Sequence, residues 1–493
     1  MLDLPEIPFD NSYARELEGF YVPWKGSQAP SPQVLRLNGA LADELGLDSK
    51  ALATPGGAAM LSGGIAPDRA SPLAMAYAGH QFGGFSPQLG DGRALLLGEV
   101  VDRAGQRRDI HLKGSGRTPF SRGGDGKAVL GPVLREYLFG EAMHALGIPT
   151  TRALAATLTG EEVARQNGYE KGAVLARVAA SHLRVGTFQF FASRGETDKV
   201  RQLADYAIRR HYPDISDRPD RYLELFRRVR DAQAALVARW VLVGFVHGVM
   251  NTDNTTISGE TIDYGPCAFI DTYDPKAVYS SIDRNGRYAF GNQPPIMQWN
   301  LSRFAETLID LVNPDDSEDA IRQLTNEVNA FPFHYQQLWL AGMRAKLGLV
   351  KEYPEDLDLA NGLLAAAEGQ GVDYTKLFRR LATFVRGNVA PVRELFDDPA
   401  GFDGWIDGYV RRMALEDVPD ARRAEAMDRV NPVYIPRNHL VDAALKSAES
   451  GDMAPFDRLS KVLATPFREQ KGAEAYGEPA PDGFGKFVTY CGT

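Results

Sequence analysis

A two-lobed α+β fold is what this chain predicts, and three features predict it. Strand-like runs cluster in the first 185 residues, helical periodicity takes over from about 186 onward, and 493 residues are too many for one simple core. The boundaries expected are an N-terminal extension over 1–75, a strand-rich lobe over 76–185, a helical lobe over 186–410 and a C-terminal extension over 411–493.

The elements follow in order. Residues 1–75 open with aromatic-rich turns and a short helical pattern near 35–45. They then pass through a Gly/Ala/Pro-rich stretch at 53–72 that reads as a surface linker. A glycine-dense segment, YAGHQFGGFSPQLGDGR over 77–93, precedes two strand patterns at 94–101 and 109–113, joined by a hairpin turn at 102–105. In the second strand Ile110 and Leu112 share one face, and Asp109, His111 and Lys113 share the other. Residues 132–146 read as a helix, with Pro132 in its first turn and Gly147 just past its last. A second strand pair is expected at 152–158 and 173–178, and a long helix at 223–242. No internal repeat is visible.

Composition narrows the function classes. Apolar content of 44% and charged content of 24% are those of an ordinary globular protein, and a net charge of −9 argues against a general nucleic-acid binder. Two cysteines exclude a disulfide-rich scaffold, and no Cys/His zinc spacing occurs. The first residues lack the basic and apolar regions of a signal peptide. The most apolar run, 232–250, is interrupted by Arg239 and His247 and reads as a buried helix rather than a membrane span. The expected setting is the reducing cytoplasm, with no membrane partner.

The chemistry-bearing residues begin with HGVMNTDN over 247–254, followed nine residues after Asn254 by Asp263. Asn254 and Asp263 offer hard oxygen donors of the kind that hold Mg²⁺ beside a nucleotide triphosphate, and a strand-like bracket at 255–262 would bring them together. In the protein-kinase pattern the base lies five residues before that Asn, where this chain has Val249, so the neighbouring Asp253 is the candidate base. A metal-free Asx-rich turn is the competing reading. Lys113, ending a strand, and Glu136, on the next helix, match a phosphate-holding lysine and its partner glutamate; Gly140, a turn later, would leave room for the incoming side chain. The alternative is two surface charges. Gly90-Asp-Gly-Arg93 and Gly123-Gly-Asp-Gly126 could present N–H groups to phosphate or could be plain tight turns. Arg177 and Arg184 need a carboxylate, a phosphate or solvent. His247 reads as a packing histidine, and Cys267 and Cys491 read by default as free thiols.

Five stretches carry a resemblance over nearly the whole length: FDNSYAR at 9–15, AGHQFGGFSPQLGDGR at 78–93, HLKGSGRTPFSR at 111–122, HGVMNTDN at 247–254 and TIDYGP at 261–266. Together they resemble the SelO (selenoprotein O, YdiU) family of pseudokinases. The resemblance implies a protein-kinase-like bilobal fold that binds ATP back to front, with the γ-phosphate end buried. It implies transfer of AMP to Ser, Thr or Tyr hydroxyls of protein substrates with release of pyrophosphate. By the same resemblance Gly90, Gly92, Arg93, Lys113, Asp125, Gly126, Arg177, Arg184 and Asp263 would bind the nucleotide. Asp253 would accept the proton, and Asn254 and Asp263 would hold Mg²⁺, with Mn²⁺ as an alternative. Cys491 occupies the near-terminal place where some animal relatives have selenocysteine, so a Cys267–Cys491 redox switch is implied. A monomer is expected, UTP remains open as a second donor, and a conventional γ-phosphoryl-transferring kinase and an inactive nucleotide-binding scaffold stand as alternatives.

Overall fold

The computed structural model describes residues 3–166, 168–485 and 487–489. Among the described residues, ten strands lie before residue 180: β1 Tyr21–Pro23, β2 Gln33–Leu37, β3 Leu73–Met75, β4 Gly79–Gln81, β5 Gly84–Ser86, β6 Ala94–Val101, β7 Arg107–Lys113, β8 Ala128–Val129, β9 Arg152–Arg165 and β10 Gly168–Ala179. Eight of them form one antiparallel sheet in the order β1-β3-β6-β7-β10-β9-β2, with β8 added beside β10, while β4 and β5 pair as a separate hairpin. Helices dominate from Val185 onward, so the mixed α+β, strand-then-helix expectation holds.

The sheet is buried on both faces, and strand parity decides what each face meets. Leu95, Leu97, Ile110, Leu112, Val174, Ala176 and Val178 pack against Ile7, Phe9 and the short helices Gly39–Glu44 and Pro55–Leu61. On the other face Leu96, Ala173 and Leu175 join the helix Leu130–Ala145 and the large core running into the helical lobe. That parity puts His111 and Lys113 on the second face. Register sets His111 opposite Arg177 and Lys113 opposite Leu175.

Two expectations about the first 75 residues need correction. The pattern near 35–45 resolves into β2 and the helix Gly39–Glu44, because Gln33–Leu37 pairs with β9. The supposed surface linker contains the buried helix Pro55–Leu61. Its glycines are there for close approach: a Cβ on Gly56 would lie 1.8 Å from the Asp3 carbonyl oxygen. The helix expected at 132–146 spans Leu130–Ala145, and the long one Arg221–Val243; each is followed within two residues by a left-handed glycine, Gly147 or Gly244. Among the described residues no helix is long and apolar enough to cross a membrane.

Candidate active site

A cleft of about 590 Å³ lies where the sheet meets the segment 249–266. Lys113 closes β7 at its floor. Its Nζ sits 2.6 Å from Glu136 Oε2 on the helix Leu130–Ala145 and 2.5 Å from Asp263 Oδ1. Arg177 of β10 bridges the same two acids, its guanidinium donating to Glu136 Oε1 at 3.0 Å and to Asp263 Oδ1 at 2.6 Å. Arg184 donates to Asp263 Oδ2 at 3.1 Å and to the Asp253 carbonyl at 2.7 Å, and its guanidinium lies 4.5 Å over the Tyr77 ring. Three cations therefore converge on one carboxylate. Both arginines are only 2% exposed, which removes the surface-pair reading.

Asp263 holds this place at a cost, because its φ of +64° is left-handed for a residue with a Cβ. Burial would raise its carboxyl, but Arg177, Lys113 and Arg184 together hold it well below the ordinary carboxylate range. Asp253 lies in the opposite situation. Burial pushes it up to about 6, with Arg184 pulling the other way. Its Oδ2 accepts a hydrogen bond from Gln81 Nε2 at 3.2 Å, whereas its Oδ1 is buried with no protein partner. Arg184 Nε is likewise buried and unpartnered. An orphaned acceptor and an orphaned donor in one cleft are what a site awaiting a polar ligand looks like.

The backbone around Asp253 is tightly braced. Residues Thr252–Asn254 form a 3₁₀ turn, and the β4–β5 hairpin is pinned to it by His80 N–H on Thr252 Oγ1 at 2.7 Å and Phe82 N–H on Asn251 Oδ1 at 3.2 Å. Phe82 takes φ +52° at the hairpin turn, a strained setting that those bonds hold. The segment 255–262 is not the strand bracket expected. It makes single bridges, Thr256 to Arg184 and Thr261 to Thr150, around a turn at Gly259. Asn254 and Asp263 nevertheless line the same cleft. The Asn254 amide nitrogen donates to the Val249 carbonyl at 3.1 Å, which leaves its oxygen as the donor end for a cation. Among the described residues no group of three or more His, Cys, Asp or Glu side chains could hold a metal by itself. A cation here would need phosphate oxygens as well as Asn254 and Asp263, and this hard-oxygen set suits Mg²⁺.

The remaining expected residues divide. Gly90, Gly92, Arg93, Asp125 and Gly126 line the cleft. A Cβ on Gly90 would strike the Phe120 ring at 2.4 Å, and Gly126 sits at φ +69° with the Gly116 carbonyl 2.2 Å from where its Cβ would be. Asp125 meets Arg165 at 2.7 Å and accepts the Lys127 N–H at 2.9 Å. Gly140 does not make room for a side chain from the site; its missing Cβ admits the Thr151 carbonyl at 2.9 Å. His247 is buried, with Nε2 donating to the Ile262 carbonyl at 2.8 Å and Nδ1 accepting from Val249 N–H at 3.3 Å. Cys267 is buried beside the site, and burial pushes its thiol up to about 12. Cys491 lies outside the described residues, but Thr489 is placed, its Oγ1 donating to the Pro266 carbonyl at 2.8 Å. Sequence reasoning missed Gln81 and Asp91, although both stand in the glycine-dense segment that it singled out.

Comparison with known proteins gives a consistent result. Residues 4–464 match the family described as protein adenylyltransferase SelO. A protein of Cereibacter sphaeroides named protein nucleotidyltransferase YdiU is 60% identical over 486 residues, covering 98% of this chain and 99% of its own. Proteins of the same name from a Mycobacterium species and from Rhizobium rhizogenes are 56% and 53% identical; they cover 99% and 100% of this chain, and 100% and 98% of their own lengths.

Proposed function

The chain belongs to the SelO family of protein adenylyltransferases, and from that premise we propose how its cleft receives ATP and which residues act. Its activity is AMP transfer from ATP to protein. The β- and γ-phosphates go innermost, against Lys113, Arg177 and Arg184, while the α-phosphorus faces outward beside Asp253. Gly90, Gly92, Arg93, Asp125 and Gly126 flank the rest of the nucleotide. The observation that carries this reading is the convergence of three cations on Asp263, with Arg184 Nε left unpartnered among them. So much positive charge at the buried end suits the most highly charged end of a triphosphate and the pyrophosphate that leaves.

Asn254 and Asp263 would hold Mg²⁺, or Mn²⁺, which when bound neutralises triphosphate charge. Asp263 already faces three cations, and the phosphates of bound ATP would take over Lys113, Arg177 and Arg184 and free its oxygens to hold the ion. An acceptor Ser, Thr or Tyr oxygen bonds to the α-phosphorus, the bond from that phosphorus to the bridging oxygen breaks, and pyrophosphate departs with the electron pair. The hydroxyl proton passes to the Asp253 carboxylate. UTP would serve as a second donor through the same contacts.

Thr489, two residues before Cys491, is anchored to Pro266, the neighbour of Cys267, and this supports a regulatory Cys267–Cys491 pair. The setting we infer is a cytoplasmic monomer acting on proteins, without nucleic-acid or membrane partners; the net charge of −9 supports the exclusion of nucleic acid. ATP labelled separately at the α and γ positions tests the reading. Label from α should appear on acceptor protein, and label from γ alone would overturn it.

A further inference from the structure

Behind Arg177 lies a buried polar chain that the reaction as described does not use. Arg177 Nε donates to Nδ1 of His111, its cross-strand neighbour, at 3.2 Å. A ring nitrogen that accepts carries no proton, so in a neutral imidazole the proton sits on Nε2, which faces Asp91 Oδ2 at 3.2 Å. Asp91 is itself fixed: Oδ2 also accepts the Met75 N–H at 3.0 Å, and the Asp91 carbonyl accepts from Thr118 Oγ1 at 2.6 Å. The His111 ring plane is held by His182, stacked at 4.1 Å and 16°. His182 is anchored in turn by its Nδ1 on Asp109 Oδ2 at 3.0 Å, and Arg210 braces Asp109 at 2.5 Å. His111 and His182 are fully buried, Asp91 is 1% exposed and Arg177 2%. Burial holds His111 below its ordinary value, against the pull of Asp91.

We propose that His111 and Asp91 are the positioning pair of Arg177: Asp91 selects the tautomer that leaves His111 Nδ1 as an acceptor, and His111 then aims the guanidinium into the phosphate end of the cleft. A hydrophobic residue at 111 would satisfy packing alone, whereas a tautomer-selected histidine fixes the direction of a charged fork before the nucleotide arrives. The inference rests on the reading of Arg177 as a ligand of the outer phosphates.

The test uses the full-length chain and two matched variants. His111→Phe keeps the stacking volume and removes both hydrogen bonds. His111→Asn also loses Asp91 but places an amide oxygen near the position of Nδ1. By calorimetry, His111→Phe should weaken ATP and pyrophosphate binding about ten-fold, with AMP binding little changed, and His111→Asn should recover most of the loss. A merely structural role would weaken ATP and AMP alike, and that result, or equal losses in the two variants, overturns the proposal. Arg177→Ala separates the premise from the inference. Unchanged ATP affinity there sinks the phosphate role of Arg177 itself; a loss there without one in His111→Phe sinks only the positioning pair. Should His111→Phe fail to fold, ¹⁵N-histidine NMR of the wild-type chain decides. The His111 ring must show a bare Nδ1 and a protonated Nε2, and the opposite tautomer contradicts the proposal.

Discussion

Asp263→Asn tests the charge balance of the cleft with little change of shape. Asparagine tolerates the left-handed φ of +64° about as well as aspartate, so the variant alters charge and not backbone. In the wild type that carboxylate meets Lys113 at 2.5 Å, Arg177 at 2.6 Å and Arg184 at 3.1 Å. Without it, Glu136 is the remaining carboxylate on Lys113 and Arg177, and Arg184 keeps the Asp253 carbonyl and the Tyr77 ring. Breaking a buried ion pair by removing one partner costs about 3–5 kcal/mol. The Asp263 side chain keeps 19% exposure, which favours the lower part of that range. For a chain of 493 residues the entropy of melting is roughly 1 kcal/mol per kelvin, so nucleotide-free Tm should fall by about 3–4 °C. ATP phosphates would replace the missing charge. Added ATP in the presence of a metal chelator should therefore raise Tm more in the variant than in the wild type, while AMP transfer is abolished. Differential scanning fluorimetry and a transfer assay read both effects. An unchanged Tm together with wild-type transfer would refute the roles given to Asp263.

Three further outcomes are expected. Gly79 has an ordinary φ, yet a Cβ there would lie 2.4 Å from Asp253 Oδ1; Gly79→Ala should cut kcat about 100-fold by displacing the base, with ATP affinity retained, and unimpaired turnover would contradict Asp253 as the proton acceptor. Lys346 is 5% exposed, and burial lowers its ammonium to about 7, below the 10.5 of an unfolded chain. Between those values the unfolded chain holds a proton that the native state lacks. The group's penalty is therefore full below pH 7 and shrinks as pH rises, and Lys346→Met should raise Tm more at pH 6.5 than at pH 9.5. Equal gains at the two pH values would refute that sign. Cys491→Ser should remove any difference in AMP transfer between oxidising and reducing conditions, and an unchanged difference would dispose of the Cys267–Cys491 switch.

What was legible in the sequence was chiefly local. Pro132 and Gly147 mark the helix after the second strand, and parity along 109–113 separates Ile110 and Leu112 from His111 and Lys113; both features recur in the structure. Small residues misled where they serve a long-range contact. The run at 53–72 has the composition of a linker, but Gly56 and Gly57 permit backbone approach by residues 3 and 52, which no local pattern announces. Gly140 misled in the same way, because its neighbour is the Thr151 carbonyl. The chain from Arg177 through His111 to Asp91 depends on register between β7 and β10 and on a loop that folds beneath them. Its members are 20 and 66 residues apart, and spacing along a chain does not encode such pairings. From the residues alone Lys113 was legible with Glu136 as its partner, while Arg177 and Arg184 stood as separate basic residues; only the family resemblance grouped all three on the nucleotide with Asp263.

The direction in which the nucleotide lies decides the account most directly. A crystal structure of the chain with Mg²⁺ and an ATP analogue that cannot be cleaved between the α- and β-phosphates should place the β- and γ-phosphates on Lys113, Arg177 and Arg184, with the α-phosphorus beside Asp253. Adenine seated against those three cations, with the phosphates reaching outward toward solvent, would contradict it.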